Sequence, residues 1–165
     1  MRALLVLTVL AGALVTAGAW ADEETMPFDK LPQAVKDGFK KRFPDAKPTD
    51  AAKETENGKT MYEVTFKEKG KNMDITFTEA GVLTTIEKEI DKGDLPKAVT
   101  AALDKKYPGA KYKMVEEVIK VVAGKESTDY YEAELELADK KVVEVEVLAD
   151  GTIKKTEEKK DEKKD

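Results

Sequence analysis

The segment LPQAVKDGFKKRFPDAK at 31–47 returns 64 residues later as LPKAVTAALDKKYPGAK at 95–111, with eight of seventeen positions identical. The match resumes further on at a shift of 69 or 70. There Tyr62-Glu63-Val64 meets Tyr131-Glu132-Ala133, and Met73, Ile75, Phe77 and Gly81 meet Val143, Val145, Val147 and Gly151. A chain that repeats both a segment and the pattern downstream of it is a tandem duplication, so one copy's fold must serve for both.

Each copy opens with a helix. Leu31, Val35, Phe39 and Phe43 recur every four residues, as do Leu95, Val99, Leu103 and Tyr107, and each stripe is expected to pack on a core. Pro32 and Pro96 suit a first turn that has no N–H partner to lose, and Asp29 and Asp94 stand just ahead as expected caps. Pro44 and Pro108 end the helices.

Beyond each helix the period falls to two, as strands require. Tyr62, Val64 and Phe66 alternate with Glu63 and Thr65, then Met73, Ile75 and Phe77 follow; in the second copy Tyr131, Ala133, Leu135 and Leu137 alternate with Glu132, Glu134 and Glu136, then Val143, Val145 and Val147 with Glu144 and Glu146. The turns Glu79-Ala80-Gly81 and Ala149-Asp150-Gly151 suit three-residue hairpin loops with a left-handed glycine, which pairs Phe77 with Leu83 and Val147 with Ile153. Glu87, Glu89 and Lys155 then break the inward pattern of the next strand, so a bulge or early fraying is expected. A strand before the hairpin is plain at 113–122, KMVEEVIKVV, whereas KPTDAAKETE at 47–56 is polar and contains Pro48, which predicts a short edge strand. The expected class is α+β: two tandem α-β-β-β-β repeats, 22–92 and 93–155, forming an antiparallel sheet with both helices on one face.

Arg2 followed by the uncharged run Ala3–Ala21, ending in Ala19-Trp20-Ala21, reads as a signal peptide over 1–21, and no later segment is apolar enough to span a membrane. The expected location is periplasmic or secreted. Residues 156–165, TEEKKDEKKD, read as a disordered charged tail. Without the leader 28 Lys+Arg stand against 34 Asp+Glu, a net charge of −6, which disfavours nucleic acid and anionic membrane as partners. The chain has no His and no Cys. That removes disulfides, Ser–His and Cys–His nucleophile pairs, most transition-metal sites and the usual neutral-pH base. Paired carboxylates serve glycosidases only in a cleft with one pKa raised, and by alternation these face solvent, so the chain reads as a non-enzymatic monomer without a cofactor.

The pattern LPxAVxxxxxxxYPxA, followed by a Tyr-centred strand, an alternating strand and a turn ending in Gly, resembles the PepSY-like family, related in fold to β-lactamase inhibitory protein. The resemblance runs from about 31 to 155. It implies an exported protein whose two modules build one curved antiparallel sheet, with an exposed face that binds another protein or peptide; inhibition of an extracytoplasmic enzyme is one suggested role. The inhibitory protein's disulfides and aromatic contact residues have no counterpart here, so β-lactamase is not carried over as a target.

The expected register sets Glu134 opposite Glu144 and Glu132 opposite Glu146 on the wet face, and like charges directly opposite are destabilising. Three accounts fit. An ordinary charged solvent face, with Lys154 beside Glu146, is the simplest; a basic protein or peptide would relieve the repulsion, and so would a hard cation such as Ca2+. Tyr130 falls on the same face as an aromatic anchor, with Met61 as its counterpart beside Glu63 in the first copy. The candidate partner-binding residues are therefore Met61, Glu63, Tyr130, Glu132, Glu134, Glu144 and Glu146.

Exported material should begin at Asp22 and carry no tryptophan, since Trp20 is the only one. Intact-mass analysis and fluorescence excited at about 295 nm check this; a mature chain that retains Trp20 refutes it.

Overall fold

The computed structural model describes residues 24–56 and 58–159, so the expected signal peptide at 1–21 lies outside the described residues. Nine strands form one sheet whose spatial order is the order of the sequence. After β1 (Glu24–Thr25) and a 3-10 turn come α1 (Gln33–Arg42), β2 (Pro48–Glu56), β3 (Lys59–Glu68), β4 (Lys71–Thr78) and β5 (Leu83–Glu89). A second 3-10 turn leads to α2 (Lys97–Lys106), β6 (Lys111–Val122), β7 (Lys125–Glu136), β8 (Val142–Val147) and β9 (Ile153–Lys159). All neighbouring strands are antiparallel.

Both helices lie on one face. Leu31, Val35 and Phe39 pack with Val64, Phe66, Ile75, Phe77 and Ile86, while Leu95, Val99 and Leu103 pack with Val115, Leu135, Val143, Val145 and Val147. On β6, Val115 joins the second core and Ile119 packs against the first; they are four residues apart, hence on the same side of the strand. The first core is aromatic, with the Phe39 ring 5.5, 5.7 and 5.6 Å from those of Phe28, Phe43 and Phe66. Leu103 holds the equivalent place in an aliphatic second core.

The hairpin turns dock on the helices. Gly81 and Gly151 have φ of 74° and 89°, and a Cβ built on them would stand 2.1 Å from the Ala34 carbonyl oxygen and 2.7 Å from that of Ala98. Each turn therefore needs glycine twice over, for its left-handed backbone and for its contact with helix backbone. From the helix side, a Cβ on Gly38 would come within 2.4 Å of the Gly81 carbonyl oxygen. The second copy has Ala102 at that position, whose Cβ stands 3.5 Å from the Cβ built on Gly151.

Three expectations need correction. Asp29 and Asp94 do not cap the helices; each sits in the preceding 3-10 turn, and Pro32 and Pro96 hold the N-cap positions without a side-chain bond. Strand β2 is not short: it spans nine residues with Pro48 at its first position, where no ladder bond is lost, and it is not the outermost strand, since Glu24 and Thr25 pair with Lys53 and Ala52. Residues 156–159 are not tail but the end of β9, drawn in by pairing with Val142–Val145; 160–165 lie outside the described residues. The bulge that Glu87, Glu89 and Lys155 predict is present in both copies. A register shift opposite Thr76 and Phe77 inserts Thr84, so that Leu83 and Ile86 face the helices and Glu87 faces the other side.

Gly38→Ala should destabilise the protein, although alanine normally favours a helix over glycine by about 1 kcal/mol, because backbone of the Gly81 turn blocks the new methyl. Ala102→Gly should cost only about that propensity difference. Urea unfolding of both variants checks the asymmetry, and a stabilised Gly38→Ala protein refutes the docking argument.

Candidate functional site

The face opposite the helices is built by cross-strand rows. Asp74 on β4 pairs with Glu87 on β5, Glu87 with Val118 on β6, and Val118 with Tyr130 on β7. One step along, Glu89 pairs with Glu116, Glu116 with Glu132, and Glu132 with Glu146, so four glutamates cross four strands before Lys155 ends the row on β9. A third row runs from Met114 through Glu134 and Glu144 to Glu157.

These rows line a depression of about 610 Å³ that receives side chains from β2 to β9, including Glu54, Glu63, Thr85, Tyr130 and Lys159. Seven strand spacings in a flat sheet would separate β2 from β9 by about 33 Å. The sheet must therefore curl, with its helix-free face concave. A second hollow of about 470 Å³ adjoins the first, sharing Thr85, Tyr130 and Glu146, and is lined also by Met61, Val118 and Lys154.

Curling explains why these carboxylates are less wet than alternation suggests. Glu116 is 4 % exposed, and Val118 beside it on the same face is 2 % exposed. Burial, reinforced by neighbouring acids, pushes the Glu87 carboxyl up to about 9, with Glu132 the first of its acidic neighbours. The same cause lifts Glu132 to about 8, helped by Glu144, and Glu116 to about 7, helped by Asp74. Asp74 is also raised by burial, and the Thr65 hydroxyl, donating to its Oδ1 at 2.5 Å, opposes that shift.

Cations reach only one side of the cluster. Lys159 Nζ lies 2.7 Å from Glu144 and 3.2 Å from Glu134, and Lys155 Nζ lies 2.9 Å from Glu157 and 3.8 Å from Glu146. Lys154 Nζ sits 3.3 Å from Glu146 and 3.8 Å from the Tyr130 ring centroid, a cation–π contact. No lysine or arginine among the described residues comes within 4.0 Å of Glu87, Glu116 or Glu132.

Of the residues singled out in the sequence, Glu63, Tyr130, Glu132, Glu144 and Glu146 line the larger depression, and Met61 meets Tyr130 and Glu146 in the smaller. Glu134 lines neither and is held by Lys159. The pairings Glu132–Glu146 and Glu134–Glu144 and the Lys154 contact to Glu146 stand as expected. The expectation that the carboxylates are simply solvated fails, because the sheet curls around them. Glu87 and Glu116 had no place in the expected site; Glu116 is the cross-strand neighbour of Glu132, which did, whereas Glu87 pairs with Asp74 and Val118, which did not. The withdrawn groups stand on three adjacent strands of one sheet face.

Because the folded chain holds protons on Glu87, Glu116 and Glu132 above the ordinary glutamate value of 4.5, their contribution to stability is complete below that value and is lost as pH rises through about 7 to 9. The melting temperature should therefore fall between about pH 5 and about pH 9. In a Glu87→Gln, Glu116→Gln, Glu132→Gln variant the fall should be much shallower; an unchanged slope refutes the assignment.

No curated protein matches the chain. Among solved structures, a DUF2874 family protein from Bacteroides uniformis superposes with a TM-score of 0.60 at 17% identity, covering 78% of this chain and 89% of that one. A putative periplasmic protein from Bacteroides eggerthii gives 0.61 at 14% identity over 78% and 88%. A BLIP-like protein from Bacteroides fragilis gives 0.56 at 18% identity over 83% and 92%. These likenesses establish the fold. Residues 15–85 and 75–155 each match the family described as "Putative beta-lactamase-inhibitor-like, PepSY-like". The chain belongs to this PepSY-like family and carries its module twice.

Proposed function

We propose that the protein is an exported, non-enzymatic, monomeric binding module whose concave sheet face receives a loop or peptide of another protein, with inhibition of an extracytoplasmic enzyme as the most specific form of that role. The observation that carries this reading is the hollow face itself. Tyr130 and Met61 offer apolar contact within a polar surround, and the hollow is assembled from both modules, here taken as 22–92 and 93–155. Interfaces with this composition concentrate their affinity in a few partly buried aromatic residues. Family membership and the fold shared with a BLIP-like protein support it. Export is supported by the Ala3–Ala21 run. Among the described residues no helix is long and apolar enough to cross a membrane.

The outer edge strand is consistent with a monomer, since Lys154, Lys155, Glu157, Glu158 and Lys159 place charge along β9 where a second sheet would dock. A calcium site is the weaker reading. Among the described residues no three carboxylates are grouped so that they could hold one metal ion.

The test compares capture of an extracytoplasmic partner by the wild type, by Tyr130→Ala and by Lys41→Ala on the exposed helix surface. The concave-face variant should lose at least about tenfold in affinity, as a hot-spot aromatic does. The helix variant should be unchanged. Equal capture by all three refutes the reading.

A further inference from the structure

We propose that the partner enters the concave face through an arginine side chain whose guanidinium seats among Glu87, Glu116 and Glu132. This rests on the binding reading above and names the chemistry of the group that is bound.

The larger depression brings eight carboxylates together with two lysines. Both lysines are committed to its β8–β9 side, Lys159 to Glu134 and Glu144 and Lys155 to Glu146 and Glu157. Glu116 on the floor is only 4 % exposed, and the lysines that hold Glu134, Glu144 and Glu146 make no ion pair with it. Its carboxylate is not an unpartnered group sealed in the core, and Glu116 lines the hollow. Buried carboxylates normally have donors, and one that lines a groove is arranged for a donor that arrives from outside.

The geometry selects the kind of donor. No group of side chains among the described residues is set to hold a metal ion, so the counter-charge is organic. Three acids on three adjacent strands suit a planar group with several N–H donors better than a compact ammonium. Val118 and Tyr130, in the row alongside, give apolar cover to an aliphatic stem.

Affinity should rise with pH, because an arriving cation favours the ionised acids. The charged groups facing Glu116 are Glu89 on β5 and Glu132 on β7 as direct neighbours, with Asp74 on β4, Glu87 on β5, Glu144 on β8 and Lys159 on β9 beyond them. Only Lys159 opposes protonation.

The probe is N-acetyl-arginine methylamide, titrated into the mature chain and followed by amide chemical shifts. Saturable shifts centred on β5, β6 and β7 are expected. The uncharged isostere N-acetyl-citrulline methylamide should give none. A Glu116→Gln, Glu132→Gln variant should lose about tenfold or more in affinity, the worth of a charge-assisted bond. Glu79→Gln, which removes one exposed charge on the β4–β5 turn, should stay within about twofold. Binding should tighten from about pH 6 to about pH 9. Equal shifts with citrulline, an unaffected double variant, or a loss in Glu79→Gln as large as in the double variant overturns the proposal. If the arginine probe fails while Tyr130→Ala still releases the protein partner, the inference falls and the binding reading stands.

Discussion

The structure depends on a sheet that is covered on one side only. Helices α1 and α2 supply the apolar cover for nine strands, and among the described residues no helix lies on the other face. A one-sided sheet must carry polar side chains on its open face to remain soluble, and strands that twist do not keep that face flat. Register shifts in β2–β3, β4–β5, β6–β7 and β8–β9 add local twist. The polar face therefore becomes the inside of a curve. Carboxylates placed there for solubility lose part of the water that justified them, and the shifts at Glu87, Glu116 and Glu132 follow from that loss.

Duplication supplies the two halves of the curve, and divergence gives them different surfaces. The helix-to-turn contact is kept in both copies, through Gly81 on Ala34 and Gly151 on Ala98. The cores have drifted, from Phe39 among rings to Leu103 among aliphatic chains, without moving either helix off its face. The open face has diverged further: Thr65 and Thr76 on the first half stand where Glu134 and Glu146 stand on the second, while Glu63 and Asp74 keep the acids found at Glu132 and Glu144. The hollow sits where these surfaces meet. Thr85 from the first copy and Tyr130 from the second line both depressions, so neither copy alone contains the site.

What could be read in the sequence is what repeats with a fixed period. Alternation placed Tyr62, Val64 and Phe66 inside, and the glycine turns fixed Phe77 opposite Leu83 and Val147 opposite Ile153. From those registers Glu132 opposite Glu146 followed directly. Glu87 announced a bulge by breaking the inward pattern but did not place it: the inserted residue is Thr84, and nothing at 84 marks it, so the side on which Glu87 lies could not be read. Glu116 was illegible for another reason. Val115 and Val118 are both buried but on opposite faces of β6, so the valine spacing that normally reports an inner face reports none. Withdrawal of an acid from water also depends on the curl of the whole sheet, which no local window of residues contains. The caps failed because Pro32 and Pro96 occupy the cap positions themselves, which leaves Asp29 and Asp94 a turn too early.

Folding and binding meet at the same three side chains. The row Glu89, Glu116, Glu132 and Glu146 places like charges opposite one another on successive strands, an arrangement that opposes folding when all are ionised. At the β9 end, Lys155 and Lys159 relieve it from within the chain. At the β5 end Glu89 accepts from the Asn72 backbone N–H, and for Glu116 and Glu132 between the two ends further relief comes from a proton or from an external cation. A proton restores stability but removes the charge that would attract a cation, whereas a cation restores stability only when the proton has left. The two compete for one site. Conditions that make the free protein most stable are then those in which it is least receptive, and a partner that binds at neutral or higher pH compensates for stability that the unbound fold has given up.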